Sequence, residues 1–256
     1  MNGSKVIVIT GASSGIGAEL ARQLGVQKHR LVLAARREKE LAEVARQSGT
    51  RTITVATDVT NRQDVEYLRD RAIDLFGEVD VWINNAGRGI GKKVMDLTDE
   101  DVDEIMSVNL KSALYGMQAI VPHFQQRGAG HLINVSSFLS RVPVATVRSI
   151  YSAAKAALNS LTANLRMDLR REYPGIHVSL VMPAVVLTDF AKNAIGGPPS
   201  GPPPASPMKP QTVDEVAAAI VRLIESPVAE IYTNPASPDL ARRYFEDVAA
   251  FEAGLG

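Results

Sequence analysis

Cysteine is absent from all 256 residues, which excludes a disulfide framework, a thiolate nucleophile and a cysteine-held iron–sulfur cluster, and fits a reducing compartment. An excess of charge of either sign is absent too. The 28 Lys and Arg cancel the 28 Asp and Glu, so the chain lacks the positive field on which non-specific nucleic-acid binding rests, and no nucleic-acid partner is expected. Long apolar runs are missing: Val6 to Ile9 and Val178 to Val181 have strand length, far short of the ~20 residues of a membrane-spanning helix. No apolar signal region follows Met1 to Lys5, so a cytoplasmic protein without membrane association is expected. Histidine is scarce, and His29, His123, His131 and His177 show neither H-x-x-x-H nor H-E-x-x-H spacing, so no metal site is expected.

What the chain does contain is an alternation of short apolar runs with longer helical stretches. Val6–Thr10, Leu31–Ala34, Thr52–Ala56, Val81–Ile83, Leu132–Ser136, His177–Val181 and Ile231–Thr233 read as strands. Their near-continuous apolar character means burial on both faces, as in parallel strands sandwiched between crossover helices. The predicted fold is therefore α/β, a doubly wound parallel sheet of about seven strands flanked by helices. No repeat or break in composition divides residues 1–256, so one domain is expected. Thr60-x-x-Gln63 and Thr212-x-x-Glu215 read as capping boxes, Thr98-x-x-Asp101 is close to one, and Gly77 reads as a helix stop. Trp82 and Met182 belong to the core. The biased stretch Gly196–Pro210 cannot be regular helix, because prolines remove donors and clash with the preceding turn; it is either a lid or a surface excursion.

After the first strand stands Thr10-Gly11-Ala12-Ser13-Ser14-Gly15-Ile16-Gly17, followed by an Ala- and Leu-rich helix. Strand, glycine turn and helix come in the order dinucleotide binding requires. Gly11 can turn tightly, Gly15 lets backbone approach a pyrophosphate, Gly17 lets helix and strand pack closely, and the helix N-terminus offers N–H groups to the anion, with Ser13, Ser14 and Ile16 in the same cradle. Farther on come Asn84-Asn85-Ala86-Gly87 and Tyr151-Ser152-Ala153-Ala154-Lys155. Tyr151 and Lys155 are one helical turn apart and share a face. A lysine cation near a tyrosine favours phenolate, so Lys155 is expected to draw Tyr151 down from its usual value near 10.

In this ordered set, over nearly its whole length, the chain resembles the short-chain dehydrogenase/reductase family, in its shorter branch. The resemblance implies a Rossmann-type fold and an oxidoreductase that interconverts a carbonyl and a secondary alcohol. It implies that Tyr151 is the general acid/base, that Lys155 also holds the nicotinamide ribose, and that Asn109 holds a water linking Lys155 to solvent. The family's serine, which holds the substrate oxygen, is assigned to Ser137, with Ser136 and Ser140 as alternatives. Ser137 stands one position farther from Tyr151 than is usual, which an extra loop residue accommodates. Asp58 and the Val59 backbone are implied at the adenine, and Asn85, with Ala86 and Gly87, near the adenosine ribose. Asp58 could equally shape a strand end, and Asn84 hold neighbouring strands together.

Pro183-Ala184-Val185-Val186-Leu187-Thr188 matches the segment whose backbone near Val186 and hydroxyl at Thr188 would fix the nicotinamide carboxamide. Ala184 replaces a glycine there, a strained change only if positive φ is needed. NAD-preferring relatives carry an acid where this chain has Ala35, while Arg36 and perhaps Arg37 can meet a 2′-phosphate, so NADP(H) is the expected cofactor. Phe138, Val142, Val144, Val147, Leu187 and Phe190 suggest a largely apolar small-molecule substrate, and Arg141 and Arg148 either face solvent or receive an acid. A homotetramer or homodimer is implied by resemblance. Two rivals are a cofactor-binding regulator without turnover, which predicts a broken set of catalytic residues, and an interaction module presenting the proline-rich loop, which explains none of the motifs.

Overall fold

Seven strands form one parallel sheet: β1 Val6–Thr10, β2 Arg30–Ala35, β3 Thr52–Ala56, β4 Val81–Asn84, β5 Gly130–Val135, β6 Ile176–Met182 and β7 Glu230–Tyr232. Their spatial order is β3-β2-β1-β4-β5-β6-β7. The computed structural model describes residues 3–49, 51–197 and 208–254. In register, Val8 lies beside Val32 of β2 and Trp82 of β4. The helices are α1 Gly15–Val26, α2 Glu38–Gln47, α3 Arg62–Phe76, α4 Asp99–Met106, α5 Ser112–Arg127, α6 Ser149–Leu169, α7 Val213–Glu225, α8 Ser237–Glu246 and α9 Val248–Ala253.

Alternation along the strands decides which layer each side chain joins. Ile7, Ile9, Leu31, Leu33 and Ile83 pack with α1, α2 and α7 on one face. Val6, Val8, Val32, Trp82 and Leu132 pack with α3, α5 and α6 on the other. All the strands expected from sequence are present, within a residue or two at their ends. Among the described residues no helix is long and apolar enough to cross a membrane.

The helix signals divide. Thr98 and Thr212 each accept from the third helical N–H while Asp101 and Glu215 reach back, so both capping boxes are real. Gly77 ends α3 in the left-handed region, at φ 77. The Thr60 box does not form. Its hydroxyl donates to Asp58 Oδ1 at 2.7 Å, and Asn61, one residue later, caps α3 by accepting from the Gln63 N–H. The Asp58 carboxylate, a charged acceptor, holds the Thr60 hydroxyl, and the N–H groups at the helix start are left for Asn61. Of Gly196–Pro210, residues 198–207 lie outside the described residues, and the lid or excursion expected there with them.

Candidate active site

In a doubly wound sheet the crevice opens beyond the carboxyl ends of the strands where strand order reverses, here between β1 and β4. Most of the residues singled out by sequence follow one of those ends. Leaving β1, the chain turns at Gly11 with φ +67, and a Cβ there would lie 2.8 Å from Ala86 Cα, so the turns after β1 and β4 touch only because this residue is glycine. Likewise a Cβ on Gly17 would lie 2.6 Å from both Asn85 Nδ2 and Gly11 O. Helix α1 begins without a side-chain cap and without an acid in its first turn, which leaves its positive end to an anion. Asn85 reaches back, donating to Thr10 O at 2.9 Å and Gly11 O at 3.3 Å, and so braces the glycine turn. Asn84 joins β4 to β5 through Asn134 at 2.8 Å and to α5 through the Ala113 carbonyl at 3.2 Å, the strand-holding role expected for it.

At the end of β2, Ala35 is followed by two exposed arginines. Arg37 donates to the hydroxyls of Ser13 and Ser14 at 3.0 and 2.6 Å, which draws a cation over the glycine turn. Arg36 lies 3.9 Å from Asp58 Oδ2, and the other Asp58 oxygen accepts from the Thr60 N–H and hydroxyl. Burial pushes the Asp58 carboxyl up, but those hydrogen bonds and Arg36 hold it below its ordinary value. Asp58 thus does shape the end of a strand, with Val59 half-buried beside it. After β6, the Val186 segment pairs with Gln211, and a Cβ on Gly15 would meet the Thr188 methyl at 3.6 Å, so this segment closes over the glycine turn. Pro183 O accepts from Phe138 N at 2.8 Å. Ala184 is not strained: Lys28 is the one non-glycine residue at positive φ among the described residues.

The strand β5 ends where Ser137 caps a short 3-10 turn, Phe138–Ser140. Of the three candidate serines, Ser137 is the one whose hydroxyl acts on the Tyr151 phenol, favouring its ionised form. Ser136 is engaged by Asn159 Oδ1 at 2.6 Å, and Ser140 by the Ser137 carbonyl and Asn159. Tyr151 and Lys155 stand one turn apart on α6, both buried, with the ammonium 5.9 Å from the phenol ring. Lys155 donates to the Val135 carbonyl at 2.8 Å, and burial lowers its pKa to about 8. Here the structure corrects the expectation from spacing. Burial raises the Tyr151 pKa, and the opposing influences are the Ser137 hydrogen bond and the Arg148 charge rather than Lys155. Spacing reports a shared face; it does not report that both groups sit where a charge is poorly solvated.

Asn109 lies in a π turn, Ser107–Lys111, between α4 and α5. Its side chain accepts from Arg88 N at 3.2 Å and donates to Arg88 O and Ile105 O at 2.9 and 3.0 Å. A Cβ on Gly87 would lie 3.0 Å from Asn109 Oδ1 and 3.7 Å from Lys155 Nζ, so this glycine sits between the two. Expected substrate-facing residues divide. Phe138 and Val142 are buried against Met208, Leu240 and Ala241, behind the site, because α8 covers them. Phe190 packs edge-on against Tyr151, ring centroids 5.6 Å apart. Arg141 is held by Glu230 at 2.7 Å, whereas Arg148, beside Tyr151, has no carboxylate partner among the described residues. The sequence left these two arginines equivalent; the available signal was the three-residue step from Arg148 to Tyr151.

The protein family described as short chain dehydrogenase matches residues 5–196. An uncharacterized oxidoreductase of Staphylococcus epidermidis is 36% identical over 189 residues, 74% of this chain and 81% of that one. One from Staphylococcus aureus is 34% identical over 236 residues, 90% and 97% of the two chains. Among solved structures, a short chain dehydrogenase/reductase from Burkholderia phymatum in complex with NAD superposes with a TM-score of 0.85 at 30% identity, covering 96% of this chain and 95% of that one. An alcohol dehydrogenase from the archaeon Thermococcus sibiricus, complexed with 5-hydroxy-NADP, gives 0.78 at 27% identity, covering 92% and 98%.

Proposed function

Since this chain belongs to the short-chain dehydrogenase/reductase family and is an oxidoreductase of that type, we propose that it interconverts a carbonyl and a secondary alcohol with NADP(H) as cofactor. The observation that carries this reading is the buried Tyr151 one helical turn from the buried Lys155, with the Ser137 hydroxyl acting on its phenol and Gly87 between Lys155 and Asn109. When bound, the nicotinamide supplies or accepts the hydride. Burial keeps the Tyr151 hydroxyl protonated, the form that gives a proton to the substrate oxygen in reduction. Ser137 holds that oxygen. The Ser137 hydroxyl and the Arg148 charge ease formation of the phenolate left behind, Lys155 binds the ribose hydroxyls, and Asn109 holds the water through which a proton is restored.

The cradle fits a dinucleotide. Gly11, Ser13, Ser14, Gly15, Ile16 and Gly17 form the crossing from β1 to the uncapped end of α1, where a pyrophosphate would be held. Asp58 and Val59 flank the adenine position, Asn85, Ala86 and Gly87 the ribose, and Pro183, Val186 and Thr188 the carboxamide. Preference for the 2′-phosphate rests on Ala35, which removes an acid, and on Arg36 and Arg37, which supply cations. We read residues 1–256 as one cytoplasmic domain. It pairs with further copies through α5 and α6, where Leu114, Met117, Val121, Pro122, Leu161 and Leu165 line an apolar groove.

A panel of ketones and secondary alcohols, assayed with NADPH and NADH by nicotinamide absorbance, tests the proposal. NADPH-dependent turnover of at least one ketone of the panel is expected. Cofactor binding without turnover of any member would favour a regulatory protein of the same fold.

A further inference from the structure

Arg148 is the N-cap residue of α6, three residues before Tyr151, and its charge acts on the Tyr151 phenol. Its Nη1 donates to Ile90 O at 2.6 Å, and its backbone bridges to Lys92, which fixes the arm. A Cβ on Gly89 would lie 2.9 Å from that Nη1 and 2.7 Å from Phe190 Cε1, and Phe190 in turn packs on Tyr151. Arg148, Phe190 and Tyr151 are therefore neighbours around one glycine.

Three neighbouring cations are matched: Arg88 by Glu104, Lys92 by Asp101, Arg141 by Glu230. Lys155 is tied to the Val135 carbonyl. Arg148 has no carboxylate within ion-pair distance among the described residues, and α6 has no acid in its first turn, so the helix adds positive potential of its own. A guanidinium offers five N–H donors in a planar fork, and Ile90 is the sole acceptor its side chain meets among the described residues.

We propose that Arg148 selects the substrate: it receives a carboxylate carried on a short tether beside the reacting carbonyl, which makes the substrate class oxo acids and the corresponding hydroxy acids. The inference rests on the carbonyl–alcohol reading above. It also reconciles an apolar wall at Phe190 with a cation, since the ligand then has an apolar body and one acidic end.

The test compares kcat/KM for free acids and their methyl esters, namely pyruvate, acetoacetate and levulinate, in wild type, Arg148→Gln and Arg148→Lys. Any influence of Arg148 on Tyr151 falls on both members of a pair and cancels in their ratio. The acid should be preferred in at least one pair by wild type, with the acid-to-ester ratio falling roughly 10- to 150-fold in Arg148→Gln, as for a lost charge-assisted hydrogen bond, and in part in Arg148→Lys. An unchanged ratio, or an ester-preferring wild type, overturns the proposal and leaves the carbonyl–alcohol reading standing. Calorimetry of butyrate against butyramide, with NADP+ present, reads the same site without turnover. Selective butyrate binding that Arg148→Gln abolishes, in a protein that turns over none of the pairs, upholds the anion site and overturns the catalytic reading. Equal binding of both ligands overturns the anion site.

Discussion

Replacing Lys155 by methionine should stabilise the protein while silencing it. The ammonium is 3% exposed, and burial lowers its pKa from 10.5 to about 8. At about 1.4 kcal/mol per unit, carrying that proton at neutral pH costs the fold about 3 kcal/mol. Methionine also forfeits the ammonium's hydrogen bond to the Val135 carbonyl, worth about 1.5–3 kcal/mol, so a net gain of at most about 1.5 kcal/mol is expected. The sign with pH follows from proton counting. Between about pH 8 and 10.5 the unfolded chain holds the Lys155 proton and the folded chain does not, so wild-type stability rises with pH across that window. Below it the penalty is complete. The advantage of Lys155→Met should therefore be full at neutral pH and gone near pH 10.5. Urea unfolding of both proteins across this range, followed by circular dichroism, measures the difference, in which the other titrating groups cancel. A difference that does not change with pH, or a less stable variant at neutral pH, would refute the reasoning.

Tyr151→Phe should lower turnover by ~10²–10⁴-fold while NADPH binding by fluorescence titration stays close to wild type, since only the proton donor is lost. Arg36→Ala should weaken NADPH by roughly 10- to 150-fold and leave NADH nearly unchanged, read from the two dissociation constants; equal loss for both would count against the 2′-phosphate contact. In the reductive direction kcat/KM should fall as pH rises through about 8, where Lys155 loses its proton, and a profile flat to about pH 10 would exclude that charge from the reaction. Gly116→Ala should destabilise by about 1–3 kcal/mol in denaturant unfolding, because its Cβ would lie 2.2 Å from Asn84 Oδ1 and break the link between β4 and α5.

The fold was legible because its signals are local. An apolar run such as Val6–Ile9 has no stable place except between two helical layers, and Thr98 and Thr212 cap because their partners lie three residues away. Thr60 shows the limit of such reading: its motif is sound, but Asp58 claims the hydroxyl and Asn61 the helix end. What distinguishes Ser137 from Ser136 and Ser140 in the packed molecule is Asn159, on α6, which engages the other two and lies beyond any local motif. Arg141 and Arg148 read alike because what separates them is Glu230, placed beside Arg141 by the pairing of β6 with β7. Proximity and motif belong to the sequence; desolvation and long-range partners belong to the packed molecule.

That distinction bears on how the site functions. The chain as a whole is neutral, but its crevice is not, because Arg37 lies over the glycine turn while Lys155 and Arg148 flank a tyrosine that burial keeps uncharged. Two cations without carboxylate partners beside that tyrosine are a poor arrangement for stability, as the Lys155 arithmetic shows. A site that must receive negative charge gains from the same arrangement. On the proposed reading, developing phenolate at Tyr151, or an anionic group arriving at Arg148, would meet fixed positive charge that needs no reorganisation. Protein carboxylates in those places would stabilise the fold and cancel that field, so on the proposed reading the unmatched charge at the head of α6 is stability forgone for chemistry.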